Sequence, residues 1–127
     1  MSLDITPVVP VGRQLIQRYG EGGFRIAGDD YSGSVLVLSG STCAWAVSSV
    51  DHLSFESLSP IFDDLSIANI LLIGCGQKFV PPPHDLRLQL REQGVSLEWM
   101  DTGAACRTFN VLLAEERAVA AALIAID

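Results

Sequence analysis

The sequence predicts an α/β domain in which a β-meander leads into a βαβ unit, and three observations carry that reading. Between residues 14 and 47, short β-rich runs are punctuated by "GEGG", "GDD" and "SGS", the rhythm of strands joined by tight turns. Residues 67 to 73, "IANILLI", are a near-continuous apolar run closed by Gly74, as expected of a strand buried on both faces. Beyond it a segment of helical composition separates that run from a second apolar strand, "VSLEWM".

In chain order, residues 1 to 13 carry two prolines and no period, and read as an N-terminal arm to a single domain over 14 to 127. The meander supplies strands near 15 to 19, 24 to 27, 34 to 38 and 43 to 47. In "HLSFESLSPIFDDLS" both Ser54 and Ser59 are N-cap candidates, and Pro60 suits a first helical position, so a short helix belongs here.

The segment "PPPHDLRLQLREQG" places Leu86, Leu88 and Leu90 in strand-like alternation. Its lack of β-branched residues, its Pro and Asp opening and its close at Gly94 predict a helix over 84 to 93 instead. A strand follows over 95 to 100. The next helix has Asp101 or Thr102 as its cap, with 105, 106, 109, 112 and 113 on one face. Strand 67 to 73, helix 84 to 93 and strand 95 to 100 make the βαβ unit, whose strands are parallel neighbours with a right-handed crossover. For the tail over 118 to 126, an alanine-rich helix and a last strand both fit, and propensity alone favours helix.

Composition excludes several function classes. At 127 residues, 49% hydrophobic and 18% charged, the chain is an apolar-rich globular domain that invites a protein partner on an exposed patch. A net charge of -7 with no cluster of basic residues along the sequence argues against nucleic acid and anionic membrane surfaces. Three dispersed cysteines imply no disulfide framework, and with two histidines they complete no zinc spacing, so no metal or cofactor is expected. No apolar run approaches the roughly 20 residues of a spanning helix, and no export or organelle signal is legible. A soluble protein of the reducing cytoplasm is the expectation.

The stretch "LLIGCGQKFVPPP" poses the sharpest functional question. A nucleophile elbow would need one more residue on each side of Cys75, and three prolines separate this loop from its helix. A Cys75, His84 and Asp85 constellation is drawn easily on paper, but the same prolines hold His84 in an extended segment. As a phosphate loop the stretch lacks the third glycine, and Asp85 opposes an anion at the next helix. The plain reading is that Gly74 and Gly76 shape a tight exit turn.

One ligand idea survives on geometry. Both strands of the βαβ unit end at the same border, one at Gly74, Cys75 and Gly76, the other at Asp101 to Ala104, where ligands of open parallel sheets collect. Thr102, Cys106 and Asn110 follow at intervals of four along the helix that starts there. Gly74, Cys75, Gly76, Asp101, Thr102, Cys106 and Asn110 are therefore the candidate crevice for a small polar or anionic ligand, with no catalytic residue assigned. The competing reading packs Cys106 as a small buried hydrophobe. Trp45 and Trp99 read as core anchors, His52 as a loop residue, and the acidic pairs at 29 and 30, 63 and 64, and 115 and 116 as solubilising charges.

The runs "IQRYGEGGFRIAGDDYSGSVLVL", Trp45, "ILLIGCG" and "MDTGAACRTFNVLLAEERAVAAALI" resemble a small uncharacterised-domain family. That family includes mitochondrial respiratory complex I assembly factor three and an adipogenesis-associated protein. The resemblance runs from about 16 to 126 and is most specific around Asp101, Thr102, Ala105, Cys106, Thr108, Phe109 and Asn110, and over 117 to 123. It implies a three-layer α/β domain with a mixed β-sheet, assembly work through protein partners, an incidental Cys75, and a strand rather than a helix over 118 to 125. Without an import segment, the chain reads as a bacterial-type cytoplasmic relative. The function expected is a non-enzymatic protein-binding module that assists assembly of a respiratory complex. The alternative is a small-molecule-binding protein or thiol-dependent enzyme using the crevice, with Cys75 or Cys106 as the thiol. Neither partner nor oligomeric state is legible.

Overall fold

A computed structural model describes residues 13–63 and 69–127. The expected arm, save Arg13, and the expected first two residues of the strand at 67 to 73 lie outside the described residues.

Strands β1 (Ile16–Gly20), β2 (Gly23–Ile26) and β3 (Asp29–Ser32) form an antiparallel sheet in that order. Each connection is a two-residue turn with positive φ at both positions, Glu21 and Gly22 at 55° and 78°, Ala27 and Gly28 at 51° and 87°. Such turns match the right-handed twist of the strands they join. β3 is an addition to the sequence reading. Its residues "DDYS" carry no apolar alternation because this outer strand is largely exposed, and pairing with β2 makes it a strand.

The central sheet holds β4 (Val35–Val37), β5 (Thr42–Ala44), β6 (Ile70–Gly74), β7 (Ser96–Met100) and β8 (Val119–Leu123), in the order β5-β4-β8-β6-β7. β6 runs parallel to both β7 and β8, while β4 runs antiparallel to β5 and β8, so the sheet is mixed. Helix α2 (Leu86–Glu92) links β6 to β7, and α3 (Thr102–Ala114) links β7 to β8. A short helix α1 (Ser59–Asp63) and the 3₁₀ turns Val50–His52 and Glu56–Leu58 precede β6.

Alternation along the strands divides the core into two layers of packing. Leu71 and Ile73 of β6, with Ala120 and Ala122 of β8, meet Leu58, Ile61, Leu86 and Leu90 on one face. Leu72, Val119, Ala121 and Leu123 meet Phe109 and Leu113 of α3 and Phe24 and Ile26 of the small sheet on the other. The result is a three-layer mixed α/β domain with N-terminal antiparallel strands.

Helix propensity misdirects the tail. Residues Val119–Leu123 are a strand, buried at every position and hydrogen-bonded on both sides. Alanine has little intrinsic preference for a sheet, but small side chains on both faces let α3 approach on one side and the other layer close on the second, and that packing decides. The expected helix over 84 to 93 begins only at Leu86, because Asp85 adopts a left-handed φ of 66° after the three prolines. The expected strand over 43 to 47 stops at Ala44. Trp45 then turns inward, its backbone N–H bonding the Ser34 carbonyl and its indole N–H the Ser57 carbonyl at 2.8 Å.

Candidate functional site

β6 and β7 are paired in parallel through Gly74 and Met100, so their carboxyl ends share one border of the sheet. The Cys75 N–H bonds the Met100 carbonyl and the Thr102 N–H bonds the Gly76 carbonyl, carrying the pairing past the strands. Asp101 caps α3 by accepting a 2.9 Å bond from the Ala104 N–H.

Thr102 is the hub of this border. Fully buried, it donates its hydroxyl to the Ile124 carbonyl at 2.7 Å and accepts from the Gly76 N–H at 3.0 Å, while the Ile124 N–H reaches the Gly74 carbonyl. Three chain segments are thereby tied at one side chain. Gly74 is required by this closeness, since a Cβ there would stand 2.8 Å from the Thr102 Cα and 3.2 Å from Leu123.

The seven sequence candidates fall into two settings. Cys75 and Gly76 open toward a cavity of about 510 Å³, lined also by Ser48, Asp51, Val80 and Ile124. Gly74, Asp101 and Thr102 adjoin that lining without being part of it, Thr102 bonding both Gly76 and Ile124. Cys106 and Asn110 lie along α3 on the side facing β1 and the sheet, and they do not line this cavity. Asn110 clamps the first strand from there, its side-chain oxygen accepting from the Ile16 N–H at 2.9 Å and its amide donating to the Ile16 carbonyl at 2.8 Å. Burial pushes the Cys106 thiol up to about 12, and Arg107 only partly offsets that push.

Cys75 is buried, with its sulfur 3.6 Å from the Lys78 carbonyl. The His84 side chain is 95% exposed and pairs with its neighbour Asp85, so no imidazole is packed against either sulfur by that route. Among the described residues, no group of three or more His, Cys, Asp or Glu is placed to hold a metal ion. Nor is any helix of these residues long and apolar enough to cross a membrane.

Sequence reasoning passed over an exposed apolar tip next to this cavity, to whose lining Val80 contributes. Phe79 is 61% exposed and the adjoining Val80 38% exposed, two apolar side chains on the proline-rich connection between β6 and α2. The Trp99 indole N–H holds the Val80 carbonyl at 2.6 Å, so this apolar tip is fastened to β7. The pair stands in the sequence as an apolar dipeptide between Lys78 and Pro81, and only its exposure, not its composition, singles it out.

Comparison with known proteins gives a consistent set of relatives. NADH dehydrogenase [ubiquinone] 1 alpha subcomplex assembly factor 3 of Xenopus tropicalis is 38% identical over 110 residues, covering 86% of this chain and 60% of that protein. An uncharacterized protein of Rhodobacter capsulatus is 35% identical, over 86% of this chain and 82% of its own. This chain thus spans less than two thirds of the vertebrate relative's length. The crystal structure described as an outer membrane protein from Bartonella henselae superposes with a TM-score of 0.83 at 39% identity, covering 92% of this chain and 98% of that one. A Mth938-like domain from Bordetella pertussis shares the fold, with a TM-score of 0.79 over 98% of this chain and 92% of its own at 22% identity. The family described as protein of unknown function (DUF498/DUF598) matches residues 16–124, and the chain belongs to it.

Proposed function

We propose that this chain is a non-enzymatic docking module that assists assembly of a respiratory complex. The observation that carries the reading is the exposed Phe79 and Val80 pair, tied to β7 through the Trp99 bond to the Val80 carbonyl, beside an open cavity. An apolar anchor next to a recess is the pattern of an interface hot spot, and pre-ordering of the tip lowers the entropy cost of binding. The names of the relatives, assembly factors of NADH dehydrogenase, supply the class of partner: a subunit or companion factor of a respiratory complex. Cys75 and Gly76 belong to the recess that receives the partner's side chain, and Thr102 keeps its wall in place.

Against thiol chemistry at Cys106 stand its burial and its raised pKa, since the thiolate is the reactive form. The three unpaired thiols favour a reducing compartment, the cytoplasm, and cell fractionation checks that placement. Affinity purification of the tagged chain at native level tests the docking reading. Wild type should recover a respiratory-complex component in stoichiometric amount, and Phe79→Asp should lose it while keeping its melting temperature. Recovery of the chain alone, or equal capture by Phe79→Asp, overturns the proposal.

A further inference from the structure

At the opposite end of the parallel strands lies a second cavity, of about 520 Å³, whose lining includes Arg87, Arg91 and Arg117 together with Asn69 and Ser96. Its volume falls within the several hundred Å³ usual for small-molecule sites. Three of the chain's eight basic residues meet there in a protein of net charge -7, and no carboxylate is among the described residues that line it.

Local structure explains the gathering. Arg87 and Arg91 stand four residues apart on α2 and share a face. Gly94 at φ 78° turns the chain back into β7, and Glu116 at φ 59° turns it back into β8, with the Arg117 N–H bonding the Leu112 carbonyl. Helix α2 and the turn that follows α3 thus deliver these arginines to the border where β6, β7 and β8 begin. One N–H of Arg87 is fixed to the Leu97 carbonyl at 2.8 Å. The guanidinium groups of Arg91 and Arg117 have neither ion pair nor hydrogen bond among the described residues.

Neutralising the negative end of a helix does not account for this set. Arg91 sits in the last turn of α2, where a cation is favoured, but Arg87 is in the first turn, where the helix dipole opposes it. Like charges facing one recess repel one another, and a bound anion removes that repulsion. Guanidinium forks match oxyanions in a bidentate fashion, and an amide and a hydroxyl beside them supply neutral donors.

We propose that this end of the sheet is a binding site for a compact, multiply charged oxyanion, phosphoryl or clustered carboxylate, held by Arg87, Arg91 and Arg117 with Asn69 and Ser96. The site is independent of the docking border. The test is titration of the full chain, followed by amide chemical shifts at low ionic strength, with pyrophosphate, with citrate and with a glutamate-rich peptide in separate arms. Saturable shifts centred on Asn69, Ser96 and the three arginines are expected from at least one small anion, and the tighter of the two identifies the source. The double variant R91Q/R117Q should weaken binding at least about tenfold, as loss of charge-assisted bonds predicts. R91K/R117K, which keeps the charge without the fork, should fall between it and wild type. No saturable shift from either small anion, shifts centred elsewhere, binding of the peptide alone, or wild-type affinity in a folded R91Q/R117Q variant would each overturn the assignment.

Discussion

Replacing Thr102 by valine removes one hydroxyl, preserves shape and should cost about 2–3 kcal/mol. The hydroxyl donates to the buried Ile124 carbonyl at 2.7 Å and accepts from the Gly76 N–H at 3.0 Å. In the valine variant the carbonyl is left without its partner inside the protein, at a penalty of about 1–3 kcal/mol. The Gly76 N–H is only partly buried and loses less, about 0.5–1 kcal/mol, while the added methyl returns a fraction as apolar burial. Unfolding entropy of about 2.1 cal/mol/K per residue over 127 residues gives about 0.27 kcal/mol/K, so the midpoint should fall about 7–11 °C. Thr102→Ser keeps the hydroxyl and deletes a methyl, and should lose only about 1 kcal/mol. Differential scanning calorimetry with urea melts measures both. Equal losses in the serine and valine variants, or a valine variant within about 0.5 kcal/mol of wild type, would refute the role given to the hydroxyl.

Gly74→Ala should destabilise by about 1–3 kcal/mol or more in urea melts, because the new Cβ meets Thr102 backbone at 2.8 Å rather than a yielding side-chain tip. Asn110→Ala should cost about 1–3 kcal/mol and selectively speed hydrogen exchange at the Ile16 amide, since both backbone groups of Ile16 lose their side-chain partner. In thiol titration of the native chain at pH 8, Cys43 should react quickly, with Cys75 and Cys106 appearing only on denaturation. Because the Cys106 pKa is raised to about 12 in the fold from an ordinary 9.0, the unfolded chain loses that proton first. Its contribution to stability is therefore intact below about pH 9 and declines as pH rises toward 12, and Cys106→Ala should flatten that part of the alkaline stability profile.

Much of the fold was legible because its strongest signals are periodic. The apolar run ending at Gly74 and the 105, 106, 109, 112 and 113 face of α3 report burial directly, and the structure buries that face at every position but the half-buried Leu112. The family resemblance identified the chain's relatives and tilted the tail toward a strand. Composition alone missed that strand, because three consecutive alanines have no period and take their conformation from neighbours on both sides. β3 was illegible for the opposite reason: an exposed outer strand of Asp, Asp, Tyr and Ser has no apolar face to betray it. For the candidate site, convergence of the two strand ends was readable from the βαβ order, but occupancy of the space between them was not. Thr102, Cys106 and Asn110 share one side of α3 as the spacing implies. Which of them faces open space depends on where β1 docks, a contact 94 residues away in sequence that no local pattern encodes.

The two proposed sites differ in chemistry because the two ends of the sheet are closed differently. Ligands of open parallel sheets gather at the carboxyl border because helix N-termini and flexible loops converge there. In this chain Thr102 binds Gly76 and Ile124 at that convergence, so the N-terminus of α3 faces fixed protein groups in place of an anion. What that border still offers is the cavity beside Cys75 and the apolar tip at Phe79 and Val80, chemistry suited to a protein surface. The amino border is closed by two helix-ending turns that bring guanidinium groups to a cavity with no carboxylate among its described lining residues, chemistry suited to an anion. Five-residue strands rising about 3.3 Å per residue hold the two borders roughly 13 Å apart, beyond the range at which side-chain substitutions couple strongly. A substitution that abolishes one function should therefore leave the other intact, and the same sheet that separates the borders holds each in fixed geometry.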